Sequence, residues 1–413
     1  MSVEKRSAAV INSVRFHDDL DALARVGGTA EGGVNRPAFS ENHSAARQWF
    51  LERAQKAGLT TSIDCAGNHS ALLPQPGAEK TLVIGSHLDS VPNGGRFDGA
   101  LGVVAALEVL RAIKDADCKL AVNLEAIDFT DEECFYAEYI GSKAFSGKLK
   151  LEHLQTPFVD HFSEALAENG LKEEEMVSCG RNPDAIAGYL ELHIEQGPRL
   201  EKSGNDIGIV SSIVGIRTNR TIFTGRSDHS GTTPIDLRLD AFLGAAAYKL
   251  AMQELLTTDF VDCVANIGNM DLSPGALNVV PEKAVLHVEI RYPREERGEA
   301  FSQALRERAS EVANRYGLKV EINPTGYSEA VQLDPVFQEA AASAAKQLGL
   351  RALNMPSGAG HDAQVMASFT PTGLLFVPSV AGVSHNPLEF TKKTDCENGA
   401  AMLLQIVLNQ FGI

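Results

Sequence analysis

The side chains able to hold a cation or move a proton fall in a few short stretches. In Ser86-His87-Leu88-Asp89 an imidazole follows directly on an apolar strand-like run, and Asp89 stands two residues further on. A carboxylate so placed could orient the ring, as second-layer carboxylates commonly do for metal-bound histidines. Gly94-Gly95-Arg96-Phe97-Asp98-Gly99 puts an acid between glycines just before a helical pattern. Asp131-Glu132-Glu133 closes the next apolar run, and adjacent carboxylates repel one another unless a cation neutralises them. His193 in Leu192-His193-Ile194-Glu195-Gln196-Gly197-Pro198 and His385 in Gly382-Val383-Ser384-His385-Asn386-Pro387 come later. Singly, each has an ordinary reading: a structural histidine, a helix-capping aspartate, an exposed acidic turn. Together, three histidines with an aspartate and a glutamate suit zinc, manganese, cobalt or nickel better than calcium, which prefers oxygen alone.

The elements that must position these groups alternate. Strand-like runs at 81–86 and 120–129 alternate with helix-like stretches at 101–113 and 140–145, the pattern of an α/β fold. In open α/β sheets ligands gather beyond the carboxyl ends of strands. The polar clusters at 86–89 and 130–133 fall there. After residue 207 the texture becomes β-rich (207–225, 261–269, 284–292), with amphipathic helices near 237–256 and 296–316. From about 326 the α/β pattern returns, with a helix near 335–349, an apolar strand at 373–377 and a closing helix over 396–411. We therefore expect a catalytic domain split in sequence, 1–211 and 326–413, and an inserted α+β domain, 212–325.

Composition narrows the function. The 413 residues carry 37 basic and 54 acidic side chains, a net charge of −17, which disfavours a nucleic-acid backbone as partner. An anionic substrate would need a positioned local cation. No apolar run is long enough to span a membrane, and residues 1–15 lack the apolar stretch of a secretory signal. Cysteines 65, 118, 134, 179, 263 and 396 form no Cys-x-x-Cys pair, which reads as reduced thiols in a cytoplasmic protein. No Gly-x-Gly-x-x-Gly follows a strand, so a dinucleotide-binding domain is not expected.

The motifs, read in order, resemble the M20 metallopeptidase clan, and within it the amidohydrolases of carbamoyl and ureido groups: N-carbamoyl-L-amino acid hydrolases, β-ureidopropionases and allantoate amidohydrolases. The likeness runs from Gly33-Val34-Asn35-Arg36 to Ser384-His385-Asn386-Pro387. Gly85-Ser86-His87-Leu88-Asp89-Ser90, His193-Ile194-Glu195-Gln196-Gly197-Pro198 and Ser357-Gly358-Ala359-Gly360-His361-Asp362-Ala363 are its branch-specific segments. The resemblance implies a mixed-sheet two-metal catalytic domain with helices on both faces, interrupted by an α+β lid and dimerisation domain. It implies two divalent ions (Mn, Zn, Co or Ni) with Asp98 bridging, His87 and His193 on one, Glu133 and His385 on the other, and Glu132 as general base. His229, in Ser227-Asp228-His229-Ser230-Gly231, would help stabilise the tetrahedral intermediate, reaching the neighbouring subunit's site in a homodimer. Asn278 and Arg291 would clamp a substrate carboxylate, a task suited to the planar fork of arginine, and Gln196 and His361 would also touch substrate. One departure stands out: where the family leads us to expect glycine after Glu133, this chain has Cys134-Phe135-Tyr136, which bears on substrate shape.

The expected activity is thus metal-dependent hydrolysis of a carbamoyl C–N bond in a small ureido acid, releasing ammonia, carbon dioxide and an amino acid. The alternatives are an allantoate amidohydrolase, an aminoacylase or dipeptidase of the same clan, and, from another class, a catalytically silent binding protein on the same fold.

Overall fold

The computed structural model describes residues 9–155 and 159–413; of the N-terminal stretch read for a signal, residues 1–8 lie outside it. The chain divides into two compact units, one running to Ser211 and resuming at Leu333–Ile413, the other Ser212–Gln332.

The first unit is built on strands β1 (Thr60–Ile63), β2 (His69–Leu73), β3 (Thr81–His87), β4 (Asn123–Phe129), β5 (Ile186–Ile194) and β6 (Ile207–Ile213), whose last two residues already belong to the second unit. The second unit contributes β7 (Gly215–Thr224), β8 (Asp228–His229), β9 (Val264–Ser273), β10 (Val279–Val280), β11 (Lys283–Tyr292), β12 (Lys319–Ser328) and β13 (Val331–Gln332). On its return the chain adds β14 (Ala352–Ser357) and β15 (Thr372–Val377). The large sheet has the order β1-β2-β4-β3-β5-β15-β6-β13, with β14 also against β6. Its centre is parallel, β4 with β3, β3 with β5 and β5 with β15, while β2 and β6 join antiparallel. Four adjacent strands thus end on the same side.

Alternation along β5 assigns the two faces, since successive side chains of a strand point oppositely. Leu190, Leu192 and Ile194 enter a core with Leu82, Ile84 and the helices Ala100–Asp115 and Lys393–Phe411. Tyr189 turns the other way, onto Phe129, whose ring meets Phe145 of the helix Ile140–Phe145. Residues 100–113 are all buried, and apart from Glu108 and Arg111 they carry no charge, so almost the whole girth of the helix can be covered. At Gly102 an added Cβ would lie 2.4 Å from the Leu192 carbonyl oxygen, so glycine sets how closely this helix meets the sheet.

The second unit is an antiparallel sheet of order β12-β7-β11-β9. Ala284, Leu286, Val288, Ile290 and Tyr292 of β11 are buried in one core with side chains of the helices Ala241–Thr258 and Glu295–Tyr316. The residues between them, including Glu289 and Arg291, are only partly covered. Asp240 caps the first of these helices, accepting from the amides of Phe242 (2.9 Å) and Leu243 (3.2 Å). The expected domain end at 325 falls inside β12, because that strand stays hydrogen-bonded to β7 as far as Ser328. The single β stretch expected over 207–225 is two strands, and the first of them, β6, pairs with β15.

The expectation of six reduced thiols is also corrected. Cys65, at the turn between β1 and β2, is disulfide-bonded to Cys179, 114 residues away, with the Cα atoms 5.7 Å apart. Spacing rules cannot reveal such a pair, because only the fold brings the two segments together. Among the described residues, no helix is long and apolar enough to cross a membrane.

Candidate metal centre and its surroundings

His87 is the last residue of β3, the loop 130–133 follows β4, His193 is next to last in β5, and the chain reaches His385 soon after β15. Asp98 precedes the buried helix that follows β3. The shared strand direction therefore gathers these groups at one edge of the sheet. Asp98 Oδ1 lies 3.1 Å from His193 Nε2 and 3.7 Å from His87 Nε2, while its Oδ2 lies 3.5 Å from His385 Nε2. His385 Nε2 is in turn 3.5 Å from Glu133 Oε2. Two sets of donor atoms converge, His87 with Asp98 and His193, and Asp98 with Glu133 and His385. Each oxygen of the shared aspartate faces a different set.

Glu132 points elsewhere: its Oε2 is 3.5 Å from His87 Nε2. The two glutamates are separated by the loop that carries them, which hangs on two buried aspartates. Asp89 accepts from the amides of Glu132 (3.4 Å) and Glu133 (3.1 Å). Asp131 accepts from those of Phe135 (2.8 Å), Tyr136 (3.0 Å) and Ala137 (3.0 Å). Asp89 also serves His87: its backbone carbonyl oxygen takes Nδ1 at 3.0 Å, and its carboxylate Oδ1 stands 3.6 Å from the same nitrogen while engaged by the loop amides. One expectation is corrected: Asp131 is no third carboxylate awaiting a cation, since three N–H groups take up both its oxygens.

The backbone here is strained in a way that explains the expected glycine. Asp131, Cys134 and Tyr139 all have positive φ (56°, 54° and 51°), as do Gln196 (56°) and His385 (52°). Left-handed conformations cost non-glycine residues and persist where surrounding structure enforces them, often at functional sites. Cys134 occupies a position that glycine would take without cost, and its Sγ lies 3.1 Å from the Glu132 carbonyl oxygen as hydrogen-bond donor.

Burial sets the electrostatics. It pushes the Glu132 carboxyl well above the usual range, and Asp362 and Glu133 add to the shift. Glu133 rises for the same first reason, with Asp98 next. Burial would also raise Asp98, but His193, His87 and His385 outweigh it and hold that carboxyl below its ordinary range. His193 behaves conversely: burial lowers it, and the facing Asp98 overrides this and pushes it up to about 9. Among the described residues, His87 Nε2, Glu133 Oε1 and Gln196 Oε1 are buried without a hydrogen-bond partner, an arrangement costly in a finished interior. Unsatisfied donor atoms of mixed imidazole and carboxylate character, crowded by acids that repel one another, fit divalent transition ions.

A cavity of about 160 Å³ opens among Asp98, Glu132, Glu133, Cys134, Tyr139, His193, Gln196, Gly360, His361 and His385. Gln196 Nε2 donates to Asp98 Oδ2 at 2.8 Å, and buried His361 has Nε2 3.0 Å from Ser357 Oγ; both expected substrate contacts therefore line the cavity. Tyr139, which the sequence did not single out, lines it too, with its hydroxyl packed so closely on Gly360 that any Cβ there would collide. The remaining expected site residues belong to the second unit. His229 is exposed on β8, opposite Val279 of β10, and its Nδ1 accepts from the amides of Gly231 (3.1 Å) and Thr232 (3.2 Å). In the neutral ring this leaves the hydrogen on Nε2. The Asn278 carbonyl oxygen accepts from Ser230 N at 3.0 Å, which ties the two loops together. Arg291 lies on the partly covered face of β11, and its Nε donates to Glu289 Oε1 at 2.8 Å.

The model of peptidase family M20/M25/M40 matches residues 83–409. The N-carbamoyl-L-amino acid amidohydrolase of Geobacillus stearothermophilus is 34% identical, covering 96% of this chain and 98% of its own. The allantoate amidohydrolase of Bacillus subtilis is 32% identical, covering 98% and 99%. A crystal structure of a hydantoinase/carbamoylase family amidase from Burkholderia ambifaria superposes with a TM-score of 0.90 at 32% identity, covering 98% of each chain. The family model and these relatives make the chain a hydrolase acting on C–N bonds. The chain belongs to the M20 family, in its amidohydrolase branch.

Proposed function

We propose that the protein hydrolyses the carbamoyl C–N bond of an N-carbamoyl-L-amino acid or a related ureido acid. The observation that carries this reading is Asp98, whose two oxygens face separate donor sets, in a chain whose relatives include enzymes named for carbamoyl amino acids and for allantoate. His87 and His193 would hold one divalent ion, Glu133 and His385 the other, with Asp98 shared. Such a pair, when bound, polarises the substrate carbonyl and lowers the pKa of water.

The chain's own groups do the rest. Glu132, buried beside the ligands yet outside both donor sets, takes a proton from the attacking water and returns it to the departing nitrogen. The water oxygen bonds to the carbamoyl carbon, the C–N bond breaks, and the carbamate released falls to carbon dioxide and ammonia. Burial supports this role, because it lifts the Glu132 carboxyl above its usual range and so strengthens it as a proton acceptor. Gln196 and His361 would contact the ureido group. Arg291 and Asn278 would bind the substrate carboxylate, and His229 Nε2–H would donate to the oxyanion.

We further propose a homodimer formed through the second unit. Strand β9 lies at the sheet edge, and helix Ala241–Thr258 exposes Phe242, Leu243 and Leu250, apolar area of the kind that marks an interface. The test of function is ammonia release from N-carbamoyl-L-amino acids, β-ureidopropionate and allantoate, using metal-free protein reconstituted with manganese, cobalt, nickel or zinc. Turnover of at least one ureido acid, abolished by chelation, is expected. Cleavage of N-acyl amino acids or dipeptides alone would overturn the assignment in favour of an aminoacylase or dipeptidase.

A further inference from the structure

Glu389 touches none of the proposed ligand side chains, yet it is bonded to the segments that carry two of them. It is buried, and its Oε1 accepts from two successive amides, Phe97 N at 2.9 Å and Asp98 N at 3.1 Å. Its other oxygen, Oε2, lies 3.1 Å from Ser384 Oγ. The same hydroxyl is 3.0 Å from Asp98 Oδ2. Asp98 is therefore held at its backbone by Glu389, and its Oδ2, which also accepts from Gln196 Nε2 at 2.8 Å, faces the one hydrogen of Ser384 that the Glu389 carboxylate shares; Ser384 directly precedes His385. Gly95 makes room for this: an added Cβ would sit 1.9 to 2.1 Å from the Glu389 carboxylate atoms.

We infer that Glu389, acting through Ser384, is a positioning residue that fixes the bridging carboxylate of Asp98 and sets the His385 loop against it. This rests on the reading of Asp98 as the shared ligand. The hydrogen-bond geometry gives the physical reason. A carboxylate between two cations must keep both oxygens aimed, and side-chain bonds from Gln196 and Ser384 to Oδ2 alone do not fix a rotation that also depends on the backbone. Glu389 fixes the backbone with one oxygen and orients the serine with the other. Partners that orient metal ligands typically cost 10- to 100-fold in metal affinity or activity when removed.

The experiment titrates metal-free full-length protein with cobalt(II), following its visible spectrum and stoichiometry, alongside ammonia release. Glu389→Ala is expected to bind at least one equivalent about 10- to 100-fold more weakly, with an altered spectrum. Glu389→Gln should recover most of the affinity lost in Glu389→Ala, since its amide oxygen can take both N–H groups and its NH2 can donate to the serine oxygen. Ser384→Ala should weaken binding by about 10-fold and carries the test if Glu389→Ala fails to fold. Wild-type affinity in Ser384→Ala, or a glutamine variant as impaired as alanine, overturns the proposal. Asp98→Ala separates the two levels: if it binds cobalt normally, the reading of Asp98 as shared ligand fails, whereas loss in Asp98→Ala with wild-type binding in Glu389→Ala sinks only the positioning role.

Discussion

Glu132 and Glu133 are adjacent in sequence and hang from one carboxylate, Asp89, yet they face different histidines, His87 and His385. Their jobs should therefore separate by mutation. Glu132→Gln is expected to keep its metal content while losing about 100- to 10,000-fold in turnover, the range for a missing proton-transfer group. Asp98→Asn should lose bound metal together with turnover, because an amide is a poor bridge between cations. Elemental analysis beside ammonia release distinguishes them, and loss of metal in Glu132→Gln would show that the roles are exchanged. The ligand types were readable in the sequence because chemistry restricts them to a few side chains. The job of Asp89 was only half legible: its spacing from His87 suggested the ring contact, which its backbone carbonyl makes at 3.0 Å with the carboxylate 3.6 Å away, but not its hold on the amides of Glu132 and Glu133.

At the scale of elements, the site depends on how the ends of β3 and β4 are fastened. Asp128, near the end of β4, accepts from Leu88 N just beyond His87 (2.7 Å) and from Arg47 Nε (2.9 Å). Arg47 belongs to the helix Glu41–Lys56 and also donates to Thr130 Oγ1 at 2.8 Å. Both members of the pair are almost fully buried. Arg47→Ala should cost about 3–5 kcal/mol in urea unfolding, since it strands a buried charge. A loss below about 1 kcal/mol would be that of an exposed ion pair and would contradict the assigned burial. The strands themselves were legible: runs at 81–86 and 373–377 became β3 and β15 nearly to the residue, because a sheet interior accepts little but apolar side chains. The fastening was not, since Arg47 and Asp128 are 81 positions apart.

For the molecule as a whole, two outcomes are expected. The Cys65–Cys179 bond leaves Cys118, Cys134, Cys263 and Cys396 free, so thiol titration of denatured, unreduced protein should find these four and mass mapping should link the other two. Reduction should lower stability by about 2–4 kcal/mol, typical for a natural cross-link; six reactive thiols before reduction would refute the bond. The second outcome concerns the proposed dimer. Mixing inactive His229→Ala with inactive Glu132→Gln should restore some activity if His229 serves the partner's site, because one site of each hybrid then carries neither defect. No recovery despite demonstrated subunit exchange would place His229 in its own subunit's site.

The sequence by itself determined the kinds of donor available, the alternation of strands and helices that puts them at strand ends, and the α+β texture of the insert. These follow from side-chain chemistry and from periodicities of a few residues. Only the tertiary structure decided which acids face the donor sets and which hold loops, that Cys65 meets Cys179, that the second unit runs on to Gln332, and that Glu389 takes the amide of Phe97 across 292 positions. A hydrogen bond is specified by position and direction in space to within a fraction of an ångström, and nothing local along the chain encodes a partner hundreds of residues away.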